Sequence, residues 1–448
     1  MGLASVTIHR GTHQIGGVVT EIRSGEHRIV IDFGENLPGS WSGNTKSDEA
    51  LVQTVFGSRP DAVLFTHYHG DHYGMYKRIP SGIPLYIGAT AKEILEILTE
   101  RLDHVPGNAI EGLPIIRSMK TYPIERRMRP FGDICVTPLV VDHSALDAYM
   151  FLIETGGKRI LYTGDFRDHG VAGSEGRFEK MLGAHVGKVD VLITEGTMLS
   201  RIKEEQTNPI RTETDLGRCA GEIFRQNKQN VVLISSTNID SIMEIFHAVP
   251  PGMDLVCDEY QAEIILAAIK RRSKYYATYK RPTVHGKPRR IYIVGDMRHL
   301  GREQDCYAAD FGILKKKGFV LLARENNNPK VKKNRFEKIV DKLDDPLIIY
   351  SKWQGYLDRA HGGYSDEHAD PAVNRFLGSH RMETLHVSGH AYVETIQKLI
   401  EKTEPKCIIP MHTECADEMK QMPEFAACRE CIHVLQDGET CDLEGLGV

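Results

Sequence analysis

Thr66-His67-Tyr68-His69-Gly70-Asp71-His72 follows directly on the apolar run 62–65, and its reading decides the fold. Three histidines and an aspartate within six positions, at the end of a predicted strand, can converge from one loop on a small volume. Imidazole and carboxylate suit zinc or manganese, and neutral imidazole binds metal at pH 7 without releasing a proton. Rigid strand ends are also where scaffolds present functional loops.

Working outward, the first 200 residues read as short apolar strands punctuated by turns. They fall at 18–22, 28–32, 62–66, 84–87, 134–139, 148–154, 159–163 and 189–194. Several form hairpin pairs, such as 148–154 with 159–163 around Gly156-Gly157. Helices fit 92–99 and the segment before Gly183. Strand-rich order with interspersed helices indicates stacked sheets covered by helices. From about residue 206 the texture changes. Helices at 215–226, 241–248 and 262–272 alternate with strands at 230–234, 254–256, 290–294, 318–322 and 347–350, the pattern of a parallel-sheet α/β module. After about 384 come a strand, a helix at 393–402, a strand at 406–410 and a last hairpin around Asp437-Gly438.

At 448 residues the chain is too long for one ordinary domain. Its 41% hydrophobic and 26% charged residues exclude a disordered chain or a fibre. No apolar run approaches a membrane span and the start lacks a signal pattern, so no membrane partner is expected. Nine scattered cysteines, an odd number, suggest reduced thiols and a cytoplasmic location. Cys428 and Cys431 form a single CxxC, short of the four ligands of a structural zinc site. The net charge of -5 hides an asymmetry: residues 270–338 hold 20 Lys and Arg against 6 Asp and Glu, a local +14 that leaves -19 elsewhere. Such a segment is the footprint of a phosphate-rich partner, and Tyr275, Tyr276, Tyr279 and Tyr292 among the charges could stack bases. The competing reading is a solvated face.

The HxHxDH run resembles the metal-binding motif of the metallo-β-lactamase superfamily, which implies an αββα sandwich. Further ligands stand where that fold would put them: Val141-Asp142-His143-Ser144, Tyr162-Thr163-Gly164-Asp165-Phe166 and Met411-His412-Thr413 each follow a predicted strand. Asp32, ending the strand 28–32 before Phe33-Gly34, reads as support that orients the ligand loop, or as a turn former. Glu195-Gly196-Thr197 is similar to the acidic motif of the β-CASP nucleases, and His386-Val387-Ser388-Gly389-His390 and Pro410-Met411-His412 to their later motifs. The whole chain thus resembles ribonuclease J and the RNA-processing β-CASP enzymes. His412 is the RNA-associated form of the last motif; the DNA-acting branch tends to have Val there. The resemblance implies residues 1–205 and 384–448 as the two parts of a metallo-β-lactamase domain, with 206–383 as an inserted β-CASP α/β domain holding the basic segment. The chain stops soon after the expected last hairpin, where typical ribonuclease J continues into a C-terminal domain that carries assembly contacts; a homodimer stays an open expectation.

The resemblance further implies two zinc ions, or manganese, per chain. One would take His67, His69, His143 and Asp165, the other Asp71, His72, His412 and the shared Asp165. Together they would activate hydroxide for in-line attack on phosphorus. Asp71, Glu195 and His390 form the implied catalytic set, His390 facing the leaving oxygen and Glu195 fixing its tautomer. Ser388, Gly389, Ser236 and Asn238 are the implied phosphate contacts, with Ser351 beside them. The expected activity is hydrolysis of single-stranded RNA, as a 5′-exonuclease, an endonuclease or both. A small-molecule metallo-hydrolase (lactonase, thioesterase or cyclic phosphodiesterase) would explain the ligands but not Glu195, His390 or the basic insert. An inactive RNA-binding scaffold would be expected to lack some ligands.

Overall fold

The computed structural model describes residues 4–37, 47–103, 112–270, 279–300, 305–326, 331–366 and 368–444. The chain forms two compact units, Met1–Asn208 with Gly389–Val448, and Pro209–Ser388. The sequence boundary at 205 falls inside helix Ile202–Thr207, and that at 383 inside strand Arg381–Thr384, which pairs in parallel with Leu347–Ser351 and so belongs to the second unit's sheet.

The first unit is an αββα sandwich. One sheet of seven strands runs Thr440–Asp442, Ala4–Arg10, Val19–Ser24, His27–Ile31, Ala62–Leu64, Leu85–Ile87 and Lys120–Thr121. It is antiparallel up to His27–Ile31 and parallel beyond. The second, of six strands, runs Cys407–Met411, Val191–Glu195, Lys158–Tyr162, Ala148–Thr155, Ile134–Val141 and Met128–Phe131. The sheets stack through aromatic pairs, Tyr86 against Phe131 at 6.1 Å and Tyr122 against Tyr149 at 4.9 Å. Outside the first sheet lies helix Asp48–Phe56, with Phe56 packed on Phe33 at 5.0 Å. Outside the second lie Arg177–Met181 and Val393–Thr403, whose Phe178, Ile396 and Leu399 join Met150, Leu161 and Ile408 in one core.

Two of the elements that differ from the sequence reading lie at the edge of the first sheet. The strand Ala4–Arg10 was not foreseen, although Ala4, Val6 and Ile8 alternate with Ser5, Thr7 and His9; in the fold Thr7, His9 and Arg10 are buried along with its apolar residues. The hairpin expected around Asp437-Gly438 is instead the single strand Thr440–Asp442, which pairs antiparallel with Ala4–Arg10.

In the second unit all seven strands of the main sheet run parallel, in the order Cys306–Ala308, Ile291–Ile293, Asp254–Cys257, Phe319–Ala323, Gln229–Ile234, Leu347–Ser351, Arg381–Thr384. Its central strands are apolar on both faces, as a sheet covered on both sides requires. Among the described residues no helix is long and apolar enough to cross a membrane. All nine cysteines are free.

Candidate metal centre

Four strand ends of the first unit deliver the candidate ligands. His67, His69, Asp71 and His72 follow Ala62–Leu64, His143 follows Ile134–Val141, Asp165 follows Lys158–Tyr162, and His412 follows Cys407–Met411. The turn at 164 needs glycine: its φ is +54°, and a Cβ would stand 2.8 Å from the Thr66 side chain. His412 itself adopts φ +51°, an uncommon conformation for a residue with a side chain.

The donor atoms gather into overlapping clusters: His67, His69 and His143; His67, His72 and Asp165; Asp71, His72 and His412; and Asp165, Glu195, His390 and His412. Asp165 Oδ2 lies 3.2 Å from His72 Nε2, 3.9 Å from His67 Nε2 and 4.0 Å from His143 Nε2, while Oδ1 is 3.8 Å from His412 Nδ1. Asp71 Oδ2 is 3.2 Å from His412 Nε2 and 4.0 Å from His72 Nε2. Asp165 is therefore the residue common to the histidines of both halves.

Hydrogen bonds at the far side of each ring fix the tautomers. His143 Nδ1 donates to the Gly389 carbonyl at 2.6 Å, which leaves Nε2 as a lone pair. His72 Nδ1 donates to Asp32 Oδ2 at 2.8 Å. His412 Nδ1 donates to Thr197 Oγ1 at 2.7 Å, and that hydroxyl donates to the His412 carbonyl. His67 Nδ1 lies 3.0 Å from Thr66 Oγ1, whose hydroxyl donates to Asp32. Outer partners of this kind orient metal-binding imidazoles and raise their basicity.

Charge in the cluster follows from burial and neighbours. Burial holds His67 and His143 well below the usual histidine value and brings His69 down to about 4, so all three rings are neutral. For Asp165 burial acts the other way, but His412, His72 and His390 outweigh it and keep the carboxyl well below its ordinary value. Burial also opposes a charged His72, yet Asp165, Asp32 and Asp71 raise its pKa well above normal. Three atoms of the cluster, His67 Nε2, His72 Nε2 and Asp165 Oδ1, are buried with no hydrogen-bond partner among the described residues. Three neutral imidazoles, ionised carboxylates and these orphaned buried atoms fit divalent cations in this space, where a cation would take the place of the additional His72 proton.

Beside the cluster, Glu195 Oε1 accepts from the Phe166 and Ala391 amides at 3.0 and 3.3 Å. Its Oε2 accepts from His390 Nδ1 at 3.0 Å. The His390 side chain is 22% exposed, against 1% or less for Asp165 and Glu195. Burial works against a charged His390, but Glu195 and Asp165 together raise its pKa.

Of the sequence-predicted residues, the seven ligands, Asp32, Glu195, His390 and Gly389 come together in the first unit. Gly389 also meets a packing need, since a Cβ there would stand 2.5 Å from Ser144 Oγ. Ser236, Asn238 and Ser388 belong to the second unit. Ser236 Oγ accepts from Arg324 at 3.1 Å, and Asn238 Oδ1 and Ser351 Oγ are buried with no hydrogen-bond partner among the described residues. The basic segment needs correction. Tyr279 is buried and Tyr292 packs on Tyr307 at 6.0 Å, so neither is a free stacking surface; Tyr275 and Tyr276 lie outside the described residues. Lys315, Lys317 and Lys333 pair with Asp344, Asp254 and Asp341, which reduces the charge available to a partner. Sequence reasoning assigned no role to Thr66, Thr197, Asp142 or Arg167. Thr66, Thr197 and Asp142 stand inside quoted motifs, which could have signalled them; Arg167 stands just outside one.

Comparison with known proteins agrees with this geometry. A model of the beta-lactamase superfamily domain matches residues 27–267, and one of the Zn-dependent metallo-hydrolase RNA specificity domain matches 379–422. Ribonuclease J of Helicobacter pylori strain ATCC 700392 / 26695 is 21% identical over 453 residues, taking in 97% of this chain and 60% of that protein. The strain J99 protein is likewise 21% identical, with 59% of its length covered. The chain thus spans about 60% of the length of these curated relatives. A crystal structure of a protein of unknown function from Enterococcus faecalis V583 shares the fold at TM-score 0.71 and 22% identity, covering 98% of this chain and 99% of that one.

Proposed function

The chain belongs to the metallo-β-lactamase superfamily, and on that premise we propose that it is a metal-dependent ribonuclease that hydrolyses phosphodiester bonds of single-stranded RNA in the cytoplasm. The observation that carries this reading is the Glu195–His390 pair beside a buried seven-ligand cluster. A small-ester hydrolase has no use for that pair, whereas a phosphodiester with a poor leaving group needs an acid there. Residues 379–422, matched by the RNA specificity model, contain both His390 and His412.

Two zinc ions, or manganese, would be held by His67, His69, His143 and Asp165 and by Asp71, His72, His412 and Asp165. Bound there they supply Lewis acidity and a lowered water pKa. The protein supplies the rest. Glu195 holds the Nδ1 proton of His390, so Nε2 is the atom presented to substrate and the one that passes a proton to the departing oxygen. Asp32, Thr66, Thr197 and the Gly389 carbonyl keep four imidazoles turned inward, so no reorganisation is needed during reaction. Ser388 and the Gly389 amide bind a phosphate oxygen in this proposal. Within the second unit, Ser236, Asn238 and Ser351 lie at the carboxyl ends of the parallel strands, where open α/β sheets receive ligands, and are proposed to contact RNA phosphate there.

Digestion of 5′-labelled and 3′-labelled single-stranded RNA by the zinc- or manganese-loaded protein tests the activity and its mode. Mononucleotides released from the 5′ end mark exonuclease action, and internal fragments mark endonuclease action. Intact RNA alongside hydrolysis of a lactone, thioester or cyclic phosphodiester would replace the proposal with the small-molecule reading.

A further inference from the structure

Asp142 immediately precedes the ligand His143, and Arg167 lies two residues beyond the ligand Asp165. The two are joined twice. Their backbones form an antiparallel bridge, with the Arg167 amide donating to the Asp142 carbonyl at 2.8 Å. Their side chains form an ion pair, Arg167 Nε to Asp142 Oδ1, also at 2.8 Å. Asp142 Oδ2 accepts from the Gly173 amide at 2.5 Å. The pair is sealed from water: Asp142 is 3% exposed and Arg167 0%. The loop that seals it has no room for side chains, since a Cβ on Gly170 would stand 2.3 Å from Asp142 Oδ1.

A buried ion pair is a poor way to fill space, because well-packed apolar residues of similar volume are usually at least as stable. What it provides is a fixed register between two segments. We infer that Asp142 and Arg167 are positioning residues that lock the His143 turn to the Asp165 turn, setting the spacing of two ligands from different strands. The inference rests on the metal reading of the cluster. It extends the outer support from single imidazoles to the relation between two ligand-bearing loops.

The test compares the wild-type protein with Arg167→Gln, Arg167→Lys and the double variant Asp142→Asn/Arg167→Gln. Zinc affinity is read by competition with a chromophoric chelator, and site geometry by the ligand-field spectrum of the cobalt(II)-loaded protein. Circular dichroism with chelator present checks that each variant folds. Arg167→Gln should weaken zinc binding by roughly 10- to 100-fold, the usual effect of removing an outer partner, and shift the cobalt spectrum. Arg167→Lys, which keeps the charge and one donor, should recover part of the loss. So should the double variant, in which no charge is left stranded. If Arg167→Gln does not fold, the other two carry the comparison. Zinc affinity and cobalt spectra equal to wild type in the folded variants would overturn the positioning role while leaving the metal reading intact. A wild-type protein that takes up neither zinc nor cobalt would overturn both.

Discussion

Asp32→Asn isolates the support of a single imidazole from every other property of the centre. Asp32 is fully buried and accepts three hydrogen bonds, from the Thr66 amide at 2.7 Å, the Thr66 hydroxyl at 2.9 Å and His72 Nδ1 at 2.8 Å. Its φ of +60° suits asparagine as well as aspartate, so the substitution adds little backbone strain. The amide oxygen can go on accepting from Thr66 only if the amide nitrogen faces His72. His72 must then leave Nδ1 bare and keep its proton on Nε2, the atom 3.2 Å from Asp165 that a bound ion would need as a lone pair. Flipping the amide instead sets two donors against each other at Thr66. A charge-assisted hydrogen bond is worth about 1.5–3 kcal/mol. Loss of an outer partner typically costs about 10- to 100-fold in metal affinity, or about 1.4–2.7 kcal/mol. The two routes agree. Competition with a chromophoric chelator should show weaker zinc binding of that size, and long-range nitrogen NMR should report the changed His72 tautomer. Asp32→Asn binding zinc as tightly as wild type, with His72 still protonated at Nδ1, would refute the reasoning.

His390→Ala should lower turnover on RNA by at least about a hundredfold while metal content stays normal; an emptied metal site would make His390 a ligand. Glu195→Gln keeps an acceptor for the Phe166 and Ala391 amides and should lose less, measured under the same single-turnover conditions. Away from the centre, burial beside Glu213 pushes Glu244 up to about 7, so the folded protein binds more protons than the unfolded chain between the ordinary 4.5 and 7. Stability should fall as pH rises through that window, and Glu244→Gln should remove the slope and gain about 1 kcal/mol at pH 8 after allowance for partial exposure, read from thermal midpoints across pH. RNA affinity should fall steeply with salt, a groove engaging about four to six phosphates giving a log–log slope of roughly -3 to -4. Within that test, reversing Lys315 and Lys317, already paired with Asp344 and Asp254, should matter less than reversing unpaired cations. A flat salt dependence would favour the small-molecule hydrolase.

The residues of the cluster were legible as candidates because each follows an apolar run, and the structure brings them together. Asp32 could be suspected for the same reason. The Asp142–Arg167 pair could not, because 25 residues separate its members in sequence and only the fold makes them neighbours. The Gly389 carbonyl was equally hidden, since backbone acceptors carry no sequence signal. The strand Ala4–Arg10 was missed despite the alternation of Ala4, Val6 and Ile8 with polar residues; what the sequence hid is that Glu21 and Asp48 partner its buried His9 and Arg10. The basic segment misled in the opposite direction. Composition counts charges but not the carboxylates that answer them, and Asp254, Asp341 and Asp344 come from other parts of the insert or lie beyond its basic stretch.

Asp165 lies within 4.0 Å of His67, His72, His143 and His412, so Asp165→Ala tests the central claim most directly. Metal content by mass spectrometry after zinc loading, and RNA hydrolysis in the same samples, would be measured for wild type and variant. The wild-type protein should hold two ions per chain and cut RNA, losing activity to chelator and regaining it with zinc or manganese. Asp165→Ala should hold fewer than one ion and cut no RNA. Two tightly held ions and an undiminished rate in Asp165→Ala, or RNA hydrolysis by wild type stripped of metal, would contradict the account.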